Sequence, residues 1–216
     1  DAHTRPLGPT PFLLLGAAGD SAAGALGASM TAMSPERCGV FDFIYGPDER
    51  TPVPLVFKPF LRLNHCGYLA SRRPDAQLRE VKFLLVGGKL NASHAHEDRG
   101  SFVLEAGGDI LAMDRGITQY GHPATHLLKR AHLHNLLIPV RTDGTFAEQL
   151  QPFSYAVMPE GRGDAETLEA SVDCTAAWPE NFSRCLRTVE SPDPRTFRIR
   201  DRVECLHPQA VEFRLH

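Results

Sequence analysis

The chain has 216 residues, of which 42% are hydrophobic and 23% charged, and its formal net charge is −3. This composition is typical of a folded globular protein with one or two domains, and it argues against disorder. The longest apolar run, Phe12 to Ala18, is too short for a membrane span, and the near-neutral total argues against dedicated nucleic-acid binding.

The charge is unevenly distributed along the chain. Residues 58–141 contain 12 basic and 7 acidic residues, whereas residues 142–216 contain 8 basic and 13 acidic residues. A basic middle segment between acidic flanks predicts a surface that attracts anions. Scattered solvated charge is the alternative interpretation.

The first 60 residues predict little regular structure beyond one helix. Asp20 or Ser21 is a suitable cap for a short helix over Ala22 to Met33. Residues 46–60 contain five Pro or Gly and predict a linker or a crossing loop. The last residues, 211–216, alternate between apolar and polar as a strand interior does, so we expect the chain to be a piece of a longer protein.

From about Leu61 onward the pattern predicts β-structure. Short apolar runs end in Gly or Asp turns, and strands are predicted at 81–86, 101–105, 110–114, 136–140, 197–201 and 211–216. Glycine turns are predicted at Gly87-Gly88 and Gly107-Gly108, and an Asp-Gly turn at Asp143-Gly144. Many short strands with such turns predict an antiparallel sandwich or barrel.

Histidines and carboxylates are concentrated between positions 94 and 135. If a hairpin turns at Gly107-Gly108, the numbers of facing residues sum to about 215, which places Asp114 opposite Ser101 and near His96. His134 enters the next strand and offers a third ligand. Two imidazoles and one carboxylate suit Zn²⁺ with a fourth position for water.

Other ligand sets are compatible with the same spacing. Glu97 and Asp98 are alternative carboxylates, and His132 competes with His134. His94 and His96 point to opposite sides of an extended chain, so one can bind a metal while the other faces a cleft. Tyr120 lies on the connection, where it can equally be an ordinary surface residue.

These residues resemble the heparinase II/III-like family of polysaccharide lyases. The matching segments are His94-Ala-His96-Glu-Asp98, Ser101-Phe-Val-Leu104, Leu111-Ala-Met-Asp114-Arg-Gly116, His134-Asn135, Val172-Asp-Cys-Thr-Ala-Ala-Trp178, and the pair of Arg187 with Phe197-Arg-Ile-Arg-Asp201-Arg-Val. The resemblance covers about residues 60–216, and within the family it is greatest to exo-acting members on oligoalginate or heparin.

The resemblance implies a mainly β fold. Residues 58–216 are expected to form an antiparallel, supersandwich-like β-sandwich that is truncated at its C-terminus. Residues 1–57 are expected to be the tail of a helical α/α toroid domain plus a linker. Because no stretch of this chain supplies the toroid, we expect the chain alone to have little lyase activity.

The resemblance also implies a reaction and its residues. The reaction is β-elimination at a uronic acid of an anionic polysaccharide such as heparin, heparan sulfate or alginate. His96, Asp114 and His134 are the implied ligands of a divalent metal, most simply Zn²⁺. His94 is the implied catalytic residue, and Arg115 and Tyr120 are the candidates for binding substrate.

Two other functions share these features. A non-catalytic glycan-binding module would use the same basic surface and a structural zinc. A uronyl epimerase would share the proton-abstraction step but return the proton instead of expelling the leaving group. For the lyase, the expected partners are an anionic polysaccharide and the remainder of the same enzyme, which contains the toroid domain.

Overall fold

The computed structural model describes residues 12, 16, 18–19, 21–33, 58–89, 95–116, 118–119, 121–149 and 156–216. The chain divides into two units, one spanning His3–Phe57 and the other Lys58–His216. In the first unit, helix α1 covers Ser21–Met33, where the helix was predicted. Asp20 and most of the predicted linker lie outside the described residues. Among the residues the structure describes, no helix is long and apolar enough to cross a bilayer.

The second unit consists mainly of short strands. The first seven are β1 (Phe60–Leu63), β2 (Tyr68–Pro74), β3 (Glu80–Val86), β4 (Gly88–Lys89), β5 (Phe102–Ala106), β6 (Asp109–Ala112) and β7 (Leu137–Val140). A five-residue helix, α2 (Ala124–Leu128), lies between β6 and β7. The last six are β8 (Ala156–Val157), β9 (Glu160–Gly163), β10 (Leu168–Asp173), β11 (Phe182–Asp193), β12 (Thr196–Cys205) and β13 (Ala210–Phe213).

The strands form two principal antiparallel sheets. The first has the order β1-β2-β3-β5-β6 and the second the order β12-β11-β10-β9. Two smaller pairs, β13-β7 and β4-β8, complete the described sheets. In the hairpins β2-β3, β5-β6 and β11-β12, consecutive strands pair directly, so most pairings join segments that are close in the sequence.

The two principal sheets pack face to face around one core. Strand β3 buries Val81, Phe83 and Leu85 at alternate positions, as a strand with one covered face does. The ring of Phe83 lies 5.2 Å from the ring of Phe197, which belongs to β12 in the opposite sheet. The buried side chains of both sheets form a single hydrophobic cluster. The predicted antiparallel β-sandwich is therefore confirmed.

Two sequence-based details are wrong. The resemblance to the family implies a strand over Val172 to Trp178, but this segment is not one strand. The carboxylate of Asp173 accepts hydrogen bonds from the main-chain N–H and the hydroxyl of Thr175 at 2.9 and 2.6 Å, and a 3₁₀ turn follows over Thr175–Ala177. An aspartate that bonds the chain two residues ahead of it ends a strand in this way.

The second error concerns the register of the β5-β6 hairpin. Facing residues sum to 215 at Glu105↔Ile110, as predicted, but a bulge shifts the next pair to Leu104↔Ala112. Strand β6 ends at Ala112, so Asp114 lies beyond the ladder and is not paired opposite Ser101. A bulge inserts one residue without any mark in the apolar pattern, which is why the simple sum failed.

Candidate metal centre

Three of the predicted residues come together at one edge of the sandwich. His96 lies in the loop before β5, Asp114 follows β6, and His134 follows a 3₁₀ turn at Ala131–Leu133 that leads into β7. One side-chain donor atom from each residue lies within 4.8 Å of the others. Three connections of the second unit therefore bring two imidazoles and one carboxylate to a single point.

His134 and Asp114 are in direct contact. His134 Nδ1 lies 2.8 Å from Asp114 Oδ2, and Asp114 Oδ1 accepts a hydrogen bond from the Gly116 N–H at 2.8 Å. The His134 side chain is fully buried, and its Nε2 has no hydrogen-bond partner among the described residues. The ring of His96 lies 5.5 Å from that of His134. A buried imidazole nitrogen without a partner is costly, and a metal ion is one group that removes this cost.

The pKa shifts of His96 and Asp114 also suit a cation. Burial lowers the pKa of His96, and although Asp98 and Asp114 oppose this effect, the net direction is toward a neutral imidazole. Burial by itself would raise the pKa of Asp114, but the hydrogen bond with His134 lowers it, and the net pKa is below the usual value. Neutral imidazoles and an ionised carboxylate are the forms that bind metal ions. The residues present therefore fit a divalent metal.

The alternative ligands left open by the spacing are engaged elsewhere. The Glu97 carboxylate faces the main-chain N–H groups of Ala131 and Gln149 at 3.1 and 3.4 Å. Asp98 pairs with Arg99. The ring of His132 stacks on Phe146, with 5.1 Å between ring centroids. None of these three side chains joins the cluster of His96, Asp114 and His134 in the described part of the chain.

The remaining predicted site residues divide into two groups. Arg115 is described; its side chain is exposed beside Asp114, and its Nε donates to His216 Nδ1 at 3.2 Å. His94 and Tyr120 lie outside the described residues. Their roles remain predictions.

The loop that carries His96 is held by buried polar side chains that the sequence analysis did not single out. Gln149 Oε1 accepts from the Arg99 N–H at 3.0 Å, and Gln149 Nε2 donates to the Arg99 carbonyl at 2.8 Å. The Arg99 guanidinium in turn donates to the Lys89 carbonyl at 2.7 Å. Burial raises the pKa of Glu97, although its hydrogen bond from Ala131 opposes the rise. These contacts hold the main chain of the loop. They join residues that are far apart in the sequence, such as Gln149 and Arg99, so no local motif predicts them.

Asn135, the residue after His134, also holds together segments that carry the candidate ligands. Asn135 is fully buried, and its side-chain amide donates to the carbonyls of Phe102 and Met113 at 2.8 and 3.1 Å. Its main-chain N–H donates to the hydroxyl of Ser101 at 3.1 Å. Asn135 therefore joins the chain beside His134 to the chain beside Asp114. The His134-Asn135 dipeptide is the only local signal in the sequence for this role of the asparagine.

Several basic side chains of the middle segment form internal ion pairs. Arg79 pairs with Asp75, Lys82 with Glu105, and Arg130 with both Glu97 and Glu148. Arg115 has no carboxylate partner among the described residues. These pairs fix individual side chains but do not remove the net excess of positive charge in residues 58–141.

Two of the concave regions among the described residues of the second unit are relevant to the location of the site. A cleft of about 190 Å³ beside the His96 loop is lined by Ala95, Glu97, His126, Lys129 and Arg130. A larger concavity of about 880 Å³ lies over β9 to β12, contains none of the candidate residues, and presents paired charges such as Arg162 with Glu169. Of these two, the smaller cleft lies nearer the cluster in the sequence, because Ala95 and Glu97 flank His96.

A comparison with protein-family models identifies one family. The family profile described as "Heparinase II/III-like, C-terminal" matches residues 58–216. No curated protein matches the chain. Among solved structures, the "Heparinase III-BT4657 gene product" with methylated lysines aligns with a TM-score of 0.57 and 14% identity, covering 89% of this chain and 28% of that one.

A second solved structure gives the same result. A mutant of the heparan sulfate lyase HepC from Pedobacter heparinus aligns with a TM-score of 0.56 and 14% identity, covering 85% of this chain and 28% of its own. At such identities the likeness concerns the fold alone. The chain spans about 28% of the length of the solved structures it matches.

Proposed function

This chain belongs to the heparinase II/III-like family through its C-terminal domain, and we propose that it is the metal-binding β-sandwich part of a polysaccharide lyase. The proposed substrate is an acidic polysaccharide that contains uronic acid, such as heparin, heparan sulfate or alginate. The observation that carries the proposal is the convergence of His96, Asp114 and His134 within 4.8 Å at an edge of the sandwich. Zn²⁺ is the proposed metal, because imidazole and carboxylate ligands in a set of three suit it.

The domain division follows from the same proposal. Residues 58–216 form the sandwich, and residues 1–57 are proposed to be the tail of a helical toroid domain plus a linker. In this proposal, the toroid domain of the same enzyme forms the other side of the active cleft. The solved structures matched here are several times longer than the aligned part, which leaves room for such a domain in those proteins.

The reaction dictates what the site must do. Removal of a proton α to a carboxylate builds up the negative charge of an enediolate, so positive groups and hydrogen-bond donors must face that carboxylate. A group with a suitable pKa must then accept the proton while the glycosidic oxygen leaves with the electron pair. A bound divalent metal supplies positive charge and fixes the ligand loops.

The chain's own residues are assigned to these tasks as follows. His94, two residues before the proposed ligand His96, is proposed to face the cleft and neutralise the carboxylate or transfer a proton. Arg115 is proposed to bind an acidic group of the substrate, which its exposure and its lack of a carboxylate partner among the described residues support. Tyr120 is proposed as a second contact to the same sugar.

One experiment separates this function from its rivals. The full-length protein is incubated with heparan sulfate and with alginate oligosaccharides, and the absorbance of the new C=C bond conjugated to the carboxylate is followed. A rise in absorbance supports the lyase. Deuterium uptake from D₂O without cleavage would instead identify an epimerase, and binding without either would identify a glycan-binding module.

A further inference from the structure

Arg187, on β11 in the second sheet, is a buried arginine whose hydrogen bonds reach across the sandwich. Its Nε and Nη2 donate to the two carboxylate oxygens of Asp201, each at 2.7 Å. Its Nη1 donates to the carbonyls of Gly100 and Asn135, each also at 2.7 Å. Only 3% of the side chain is exposed. The guanidinium is thus oriented by a bidentate pair on one side and binds two main-chain carbonyls on the other.

The two carbonyls belong to the segments that carry two of the proposed ligands. Gly100 ends the loop that contains His96, and Asn135 directly follows His134. One guanidinium nitrogen therefore connects the main chains of both imidazole ligands. The main chain at Gly100 lies close to Cys174, since a Cβ at position 100 would be 2.5 Å from Cys174 Sγ. The φ of Gly100 is +92°, a left-handed conformation that favours glycine. The loop can therefore pass the second sheet at this distance only with glycine.

We infer that Arg187 is a positioning residue for the metal centre, an inference that rests on the proposed function. Removing the guanidinium leaves two buried carbonyls without their donor, and the loops then relax to find other partners. Any shift of these loops changes the separation of the ligand atoms of His96 and His134. Metal affinity depends on this separation, and changes to groups that orient ligands reduce affinity about tenfold to a hundredfold.

Arg73 on β2 provides a matched control within the same chain. It is also fully buried, and it also connects the two sheets, since its guanidinium donates to the Glu166 carbonyl and to Ser191 Oγ, each at 2.6 Å. It lies over the ring of Phe197 at 5.4 Å, as Arg187 lies over Phe102 at 5.6 Å. None of its hydrogen-bond partners adjoins a proposed ligand. Loss of Arg73 should therefore cost stability without affecting the metal.

The test uses the 216-residue chain with Arg187→Met, Arg187→Lys and Arg73→Met. Zinc affinity is measured by competition with a chromogenic chelator, and the visible spectrum of the Co²⁺ form reports the ligand geometry. We expect Arg187→Met to weaken zinc binding about tenfold or more and to change the Co²⁺ spectrum. Arg187→Lys should restore part of both. Arg73→Met should lower the Tm but leave the zinc Kd and the spectrum at the wild-type values.

The outcomes distinguish this inference from the proposed function. If the wild-type chain binds neither Zn²⁺ nor Co²⁺, the proposed metal site is overturned and the role of Arg187 with it. If the wild type binds zinc and Arg187→Met keeps the same Kd and spectrum, only the positioning role is overturned. An equal loss of affinity in Arg73→Met also overturns it, because the effect would then be general destabilisation. Should Arg187→Met fail to fold, Arg187→Lys against Arg73→Lys makes the same comparison.

Discussion

The side-chain amide of Asn135 donates a hydrogen bond to the carbonyl of Met113 at 3.1 Å. Met113 precedes Asp114 and Asn135 follows His134, so this bond joins the neighbours of two proposed ligands. The same side chain also bonds Phe102 through its amide and the His216 N–H through its oxygen, at 2.8 Å each. A single buried side chain thereby connects three segments around the site.

Asn135→Ala should destabilise the chain and weaken metal binding together. The substitution leaves buried carbonyls and an N–H without partners, and we expect a loss of about 3 kcal/mol in the free energy of unfolding. Urea unfolding monitored by circular dichroism measures this loss, and zinc competition measures the affinity. Asn181→Ala is the control, since Asn181 bonds Gln209 at 3.0 Å outside the site and should cost about 1 kcal/mol. Equal losses in both variants would contradict the prediction.

Substitution of the proposed ligands should remove zinc and its stabilising effect. His96→Ala and Asp114→Asn are each expected to lower the zinc content and the Tm of the zinc-loaded chain. An ion that binds only the folded state adds about 2.7 kcal/mol when its free concentration is a hundred times the Kd. Elemental analysis and thermal unfolding with and without a chelator measure the two quantities.

His94→Ala is the control for these variants, because His94 is proposed to face the cleft and not to bind the metal. Its zinc content and chelator-dependent Tm should equal those of the wild type, whereas the lyase activity of the longer enzyme should fall. Unchanged zinc stoichiometry in His96→Ala would defeat the ligand assignment.

The sequence predicted the β-sandwich and the convergence of His96, Asp114 and His134, whereas the role of these residues as metal ligands stays a prediction. These three residues could be singled out because imidazole and carboxylate groups are chemically distinctive and because the residues lie near predicted turns and strand ends. Strands β2 and β9 were not predicted, because the inward positions of β2 include the polar residues Ser71 and Arg73 and because β9 reads Glu-Gly-Arg-Gly, so neither shows an apolar alternation. The contact of Arg187 with Asn135 joins residues 52 positions apart and depends on how the sheets pack, which no local pattern encodes.

A turn between β2 and β3 stores a small amount of strain that a substitution can release. Leu78 has a φ of +59° and an 85% exposed side chain, so it has a left-handed conformation without compensating burial. Leu78→Gly should raise the free energy of unfolding by about 0.5–1 kcal/mol, because the steric cost of this conformation exceeds the entropy that glycine adds to the unfolded chain. Chemical denaturation measures the gain. Leu78→Ala keeps a Cβ and should give no such gain; a gain of the same size in both variants would point to the loss of the exposed leucine instead.

The Asp75 carboxylate in the same turn should make stability depend on pH. It accepts from the main-chain N–H groups of Gln77 and Arg79 at 2.9 Å each and from the Arg79 guanidinium at 2.7 Å. The hydrogen bond from Arg79 lowers the pKa of Asp75 below 3.8. Because the folded pKa is below the unfolded one, the stabilisation is complete above the unfolded pKa and is lost as the pH falls through the folded pKa.

Asp75→Asn should therefore reduce stability at neutral pH and have progressively less effect as the medium becomes more acidic than pH 3.8. Urea unfolding of both proteins across this range measures the difference. Asp109→Asn is the comparison, because Asp109 lies at an exposed strand end. A difference between wild type and Asp75→Asn that grows on acidification would show the opposite linkage.

The described cysteines should differ sharply in reactivity. Cys66 and Cys205 are exposed, whereas Cys174 and Cys185 are buried and face each other where the Cys174 N–H donates to the Cys185 carbonyl at 2.7 Å. The hydrogen bond with Cys174, together with burial, raises the pKa of the Cys185 thiol strongly. Since the thiolate is the nucleophile, Cys185 should stay unlabelled by iodoacetamide even at mildly alkaline pH, while Cys66 and Cys205 are alkylated. Peptide mass spectrometry assigns each site, and labelling in denaturant provides the full-reactivity reference. Native alkylation of Cys185 as fast as that of Cys205 would mean that the edge of the sandwich beside Gly100 opens readily, which is incompatible with a rigid support for the ligand loops.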